Sequence, residues 1–177
     1  MTIYSLINFL HVTSSIGIVV ALSFENLMMV KMQRVANSDQ FKAWKELHTL
    51  PLRLGGSSLV VSLITGIYLT VTMWPSTPWI WPSTVALVLF SVASFSLANA
   101  SHRKFLVSDS IHEMRDAWQK LWLSLLVRNG LIAGILYLMV AKPSFEGSLA
   151  ALAFWLVLFT LPIKIFKKRF ETLSEPL

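Results

Sequence analysis

Three side chains in this sequence carry chemistry that their surroundings do not favour: His11, Glu25 and Arg128 each lie in a long apolar run. An ionisable group deep in hydrocarbon costs roughly 2.5 to 3.5 kcal/mol on insertion scales, so it is expected to face protein or water and to hold a partner. An imidazole in that setting can ligate haem or a metal ion, or carry a proton. Arg128 lies seven residues past Leu121 and Glu25 six residues before Lys31, which at the rise of a helix places them about 10 Å and about 9 Å from the same side. Equal depth predicts an ion pair of Glu25 with Arg128, supported by Asn26 and Asn129. The alternative is that Arg128 snorkels to headgroups while Glu25 sits in a flared helix end.

His11 stands in Asn8-Phe9-Leu10-His11-Val12-Thr13-Ser14-Ser15-Ile16-Gly17. Asn8, His11, Ser14, Ser15 and Gly17-Ile18 fall close to one helical face, and two heptads on that face reaches Glu25. The face is predicted to look into a bundle, where His11 is a candidate ligand for haem (haem b) or metal, with an interhelical hydrogen bond as the purely structural alternative. His48, His102 and His112 all lie near the opposite surface, so none shares its depth. Met73 and Met139 match it better, but methionine in an apolar helix more often packs than ligates. His48, Arg53, Asn99 and His102 join Glu25, Asn26, Arg128 and Asn129 at one level, forming a candidate polar cluster; polar helix ends at a membrane surface are the alternative. No catalytic residue is assigned, and no metal-ion motif is present.

The elements that must position these groups are set by composition. Of the 177 residues 55% are hydrophobic and only 14% charged, with a mean hydropathy of +0.64. The net charge of +6 suits nucleic acid or an anionic membrane surface, and its distribution decides. Glu25 is the sole charge between Met1 and Val30, and none falls between Leu54 and Ser101. Such blocks indicate the lipid bilayer as partner and exclude nucleic acid. Five transmembrane helices are predicted, over residues 3–30, 54–74, 83–101, 121–141 and 148–166. The fold class is therefore an all-α, multi-pass helical bundle, a four-helix core plus one, in a single membrane domain over residues 1–177.

All but one of the 15 Lys and Arg residues fall on one side of that topology, with Lys142 alone on the other. Cytoplasmic loops hold the basic excess, so the amino terminus is expected outside and the carboxyl terminus inside the cell membrane. No basic residue precedes the first apolar run and no small-residue cleavage pattern follows it, so it reads as a retained span, not a signal peptide. The linker Trp74 to Pro82, with three prolines and three tryptophans, predicts a non-helical crossing at headgroup level. Residues 40–48 and 111–122 mix charge with tryptophan at helical spacing and predict short interfacial helices.

Absent cysteine excludes thiolate metal sites and thiol nucleophiles. Phosphate loops, metalloprotease motifs, nucleophile elbows and paired intramembrane carboxylates are all missing, which removes the basis for hydrolase or nucleotide chemistry. Almost wholly apolar third and fifth spans argue against a wide aqueous pore. A site for haem or protons near His11 remains, or else an accessory or small-solute transport protein whose buried polar residues only fix packing. The second reading works through a second copy or a membrane partner subunit.

The run Asn8-Phe9-Leu10-His11-Val12 with Ser15 and Gly17, and Leu63-Ile64-Thr65-Gly66-Ile67-Tyr68-Leu69, resemble an uncharacterised group of bacterial integral membrane proteins. That group is itself similar to the membrane domain of the copper-resistance protein CopD and to the HemJ-type protoporphyrinogen oxidase. The likeness covers the first two spans, to about Pro75. It implies a helical bundle in the bacterial inner membrane, with His11 matching a first-span histidine that is a candidate haem ligand. Where those relatives often carry Trp-x-Gly-Gly after the histidine, this chain has Gly17-Ile18-Val19-Val20, and Glu25 and Arg128 stand instead of an evident lysine partner.

Overall fold

A computed structural model describes residues 2–32, 47, 49–74, 77–98 and 111–161. Helix α1 spans Ile3–Met32, α2 Thr49–Met73, α3 Ile80–Val92, α4 Ile111–Ala141 and α5 Phe145–Thr160; a π-helical segment, Ala93–Ala98, continues α3. The protein is all-α, with no strand among the described residues. In hydrocarbon no water can satisfy a backbone amide or carbonyl, so an apolar chain closes its hydrogen bonds within each helix.

Three stretches are long and apolar enough to cross a bilayer: Ile3–Lys31, Thr49–Met73 and Gln119–Ala141, with mean hydropathies of 1.8, 1.7 and 1.8. Two more, Ile80–Ser96 and Phe145–Thr160, are apolar but shorter than the roughly 20 residues a perpendicular crossing takes. The outward surface is largely apolar, unlike that of a water-soluble protein. Buried polar side chains include Ser14, Glu25, Ser62, Thr65, Ser124, Arg128 and Ser148, while Phe9, Ile16, Ile64, Val71, Phe154 and Val140, the last 85% exposed, face outward. Apolar surface on that scale needs a nonpolar solvent, and the chain is a membrane protein.

Several element ends differ from the sequence expectation. The second helix begins at Thr49, not Leu54, and holds Pro51 in its first turn, where a missing N–H costs no helical bond. The same reason corrects the linker: Ile80, Trp81 and Pro82 open α3, so the non-helical part of that crossing is shorter than expected. The separate interfacial helix expected over 111–122 is instead continuous with the fourth span, giving one helix of 31 residues. The one expected over residues 40–48 lies outside the described residues, apart from Leu47. The fifth helix starts at Phe145 because Ser144 caps it, its Oγ accepting from the Gly147 amide at 3.2 Å.

The chain divides into two compact units, Met1–Ile80 and Trp81–Leu177. In the first, α1 and α2 pack antiparallel along a seam of small residues: a Cβ on Gly17 would overlap Ser58 Oγ, and one on Gly55 would stand 3.2 Å from Ala21 Cβ. In the second, α4 packs on α5 and on the π segment. The turn Lys142-Pro143-Ser144 reverses the chain, with Lys142 at a φ of 47° in the left-handed region after α4. A Cβ on Gly130 would lie 3.1 Å from Trp155 O and 3.2 Å from Leu156 Cα; one on Gly134 would lie 2.7 Å from Leu152 Cδ2. This Gly-x-x-x-Gly pair lets two backbones approach where lipid tails offer no hydrophobic drive to do so.

Candidate functional site

Helix α1 presents Ser14, Ile18, Ala21, Leu22, Glu25, Met28 and Met29 on its buried side, with His11 toward the amino-terminal end of the same face. Helix α2 meets it with Leu59, Ser62, Thr65 and Leu69, spaced three or four apart. The imidazole of His11 lies between the helices. Its Nδ1 is 3.2 Å from the Ser62 carbonyl oxygen and 3.1 Å from Thr65 Oγ1. Gly66 supplies the space: a Cβ there would stand 3.0 Å from His11 Cε1.

The surrounding hydroxyls are satisfied locally. Ser14 and Ser15 each donate to the His11 carbonyl, at 3.0 and 2.8 Å, and Ser15 Oγ is also 3.4 Å from Ser62 Oγ. Thr65 Oγ1 donates to the Val61 carbonyl at 2.7 Å. Hydroxyl groups that bond back to the preceding turn can be buried in an apolar seam without leaving a donor open. Among the described residues the protein engages His11 through Nδ1, and Nε2 is left as the ring atom able to take a ligand or a proton.

The other candidates are placed as follows. Glu25 is 4% exposed on the His11 face of α1, one helical turn after Leu22, and Asn26 Nδ2 donates to the Leu22 carbonyl at 2.8 Å. Arg53 is exposed near the start of α2, as a headgroup anchor would be. On α4, Arg128 is 4% exposed, one turn after the fully buried Ser124, and Asn129 beside it is half-buried. His48, Asn99 and His102 lie outside the described residues. Met73 closes α2 and is exposed. Among the described residues there is no group of three or more His, Asp or Glu side chains that could hold a metal ion. A bound metal at His11 would thus need most of its ligands from elsewhere, as haem iron has from its macrocycle.

Sequence reasoning pointed to His11 but missed its partners in α2. Thr65 and Ser62 are ordinary residues for a membrane helix, and nothing in their spacing names the histidine they meet. The Gly130 and Gly134 pair was also missed, though it was legible as Gly-x-x-x-Gly in an apolar run. The π segment had no readable signal. It leaves the Ala93 carbonyl to accept from Ser124 Oγ at 3.3 Å, while Ser94 and Ser96 donate to Phe90 and Val92 carbonyls at 2.8 and 2.6 Å. No family model, no curated protein and no solved structure matches the chain.

Proposed function

We propose that this chain is a multi-pass protein of the bacterial inner membrane, amino terminus outside and carboxyl terminus cytoplasmic, that handles haem or protons at His11. The orientation is supported by the one-sided distribution of Lys and Arg. The single observation that carries the site is the contact of His11 Nδ1 with the Ser62 carbonyl. Histidines that ligate metals characteristically give their other ring N–H to a carbonyl or carboxylate, which fixes the ring and raises its basicity. His11 has that arrangement, reached from a second helix. The likeness of residues 8–17 and 63–69 to a group similar to CopD and HemJ-type proteins points the same way.

Haem b, when bound, would supply one-electron chemistry in the bilayer. The chain's own contribution is to hold the imidazole edge in place through Thr65, Ser62 and Gly66. The same geometry without haem leaves a proton acceptor at Nε2. A visible spectrum of the detergent-purified protein, expressed with ample haem, separates the two. A Soret band that disappears in His11→Ala supports haem; a colourless preparation removes the haem arm and leaves the proton one.

A second reading has its own support. Ser124 and Ser148 are fully buried and bond only to backbone carbonyls, of Ala93 and Ser144, as side chains that merely fix packing would. On that reading the protein is an accessory or small-solute transport component working with a second copy or a partner subunit. It predicts that His11→Gln leaves assembly and the visible spectrum unchanged.

A further inference from the structure

Proton bookkeeping at His11 goes one step beyond its position. A carbonyl oxygen has no hydrogen to give, so the 3.2 Å contact of Nδ1 with Ser62 O is favourable only if Nδ1 carries the proton. The second partner could in principle donate, because a threonine hydroxyl has one hydrogen. That hydrogen is committed: Thr65 Oγ1 lies 2.7 Å from the Val61 carbonyl oxygen, shorter than its 3.1 Å to Nδ1. Turning the hydroxyl toward Nδ1 would open the bond to Val61 and set the lone pairs of Nδ1 and Ser62 O against each other. Both neighbours therefore accept, and the ring must donate to both.

From this we infer that Thr65 is a positioning residue which, with the Ser62 carbonyl, locks His11 as the Nδ1–H tautomer and so fixes what the site takes. In the neutral ring Nε2 then presents a lone pair. It binds an electron-pair acceptor, whether a metal centre or a hydrogen-bond donor such as a hydroxyl or hydronium, and it repels anions. Gly66 completes the lock, since a methyl group there would stand 3.0 Å from Cε1 and press on the ring. The lock is built from α2, across 54 residues of sequence, so it exists only where α1 and α2 are packed.

The proposal rests on His11 as the site but not on the presence of haem. Nitrogen NMR of isotope-labelled histidines in haem-free protein, reconstituted in lipid nanodiscs near neutral pH, tests it, with His11 assigned by the signal lost in His11→Gln. The expected spectrum shows a protonated Nδ1 and an unprotonated Nε2. Thr65→Val should turn that single form into a mixture with several-fold more Nε2–H, whereas Thr65→Ser restores the native pattern. Ser62→Ala, which removes a hydroxyl and keeps the carbonyl, should leave it unchanged. A wild-type signal with the proton on Nε2, or a Thr65→Val spectrum identical to wild type, overturns the lock. Because no haem is present, either result stands apart from the outcome of the Soret experiment.

Discussion

The α1/α2 and α4/α5 seams solve one problem with different residues. Both bring two apolar helices into close antiparallel contact through glycine, at Gly17, Gly55 and Gly66 in the first and at Gly130 and Gly134 in the second. The α4/α5 seam then fills with Leu152, Leu156 and the Trp155 backbone. The α1/α2 seam instead carries His11, Ser14, Ser15, Ser62 and Thr65, bonded to one another and to backbone. Since lipid is as apolar as leucine, a dry glycine seam is sufficient for helix association. Polar groups beyond that requirement must be bonded to offset their desolvation, and in the first seam they gather around a histidine.

That contrast can be broken most severely at the charges, because among the described residues each unit buries one. Reversing Glu25 or Arg128 alone is expected to destabilise the protein by about 3–5 kcal/mol, read from unfolding in mixed detergent. A reversal that costs nothing in either unit would mean that the charge there is reached by water or headgroups.

Next in size is Gly130→Leu. Its side chain would meet backbone at Trp155 and Leu156, which cannot move aside as a side-chain tip can, so a loss of about 3 kcal/mol is expected. If the α4/α5 seam is purely structural, the tautomer at His11 is untouched in whatever fraction remains folded. A changed histidine spectrum in folded Gly130→Leu protein would contradict the division of roles.

Gly66→Ala should have the reverse profile: a cost of only about 1 kcal/mol, because the ring can shift by a few tenths of an ångström, but a disturbed His11 signal and weakened ligand binding. Unaltered binding would show that the ring position is immaterial to the site. Smallest are two changes in the turn between α4 and α5. Ser144→Ala removes the cap on the Gly147 amide and should cost about 1 kcal/mol. Lys142→Gly relieves a left-handed backbone and should stabilise by about 0.5–1 kcal/mol, measured in the same titration. Neither should alter any property of His11.

Legibility from sequence followed how local each cause was. Pro82 reads as part of a non-helical linker because proline interrupts a helix, yet it sits, as Pro51 does, in a first turn, where the rule allows it. The fourth helix was read as two because Trp118, Lys120 and Trp122 resemble an interfacial stretch; a chain that can keep its hydrogen bonds simply continued. His11 stood out because an imidazole in hydrocarbon demands an explanation. Thr65 did not stand out, because its importance lies in a partner supplied by another helix.

Composition and charge distribution alone determined that this chain is helical and dissolved in a bilayer, since apolar length and backbone hydrogen bonding leave no other outcome. They also determined which ionisable groups required shelter. Only the packed structure decided how each helix is rotated about its axis: that α1 turns His11 onto Thr65, and that α4 turns Gly130 onto α5. The reason is physical. In water the apolar stripe of a helix marks its buried face, but in lipid both faces are apolar, so the rotation follows from small-residue fit and hydrogen bonds between segments far apart in sequence.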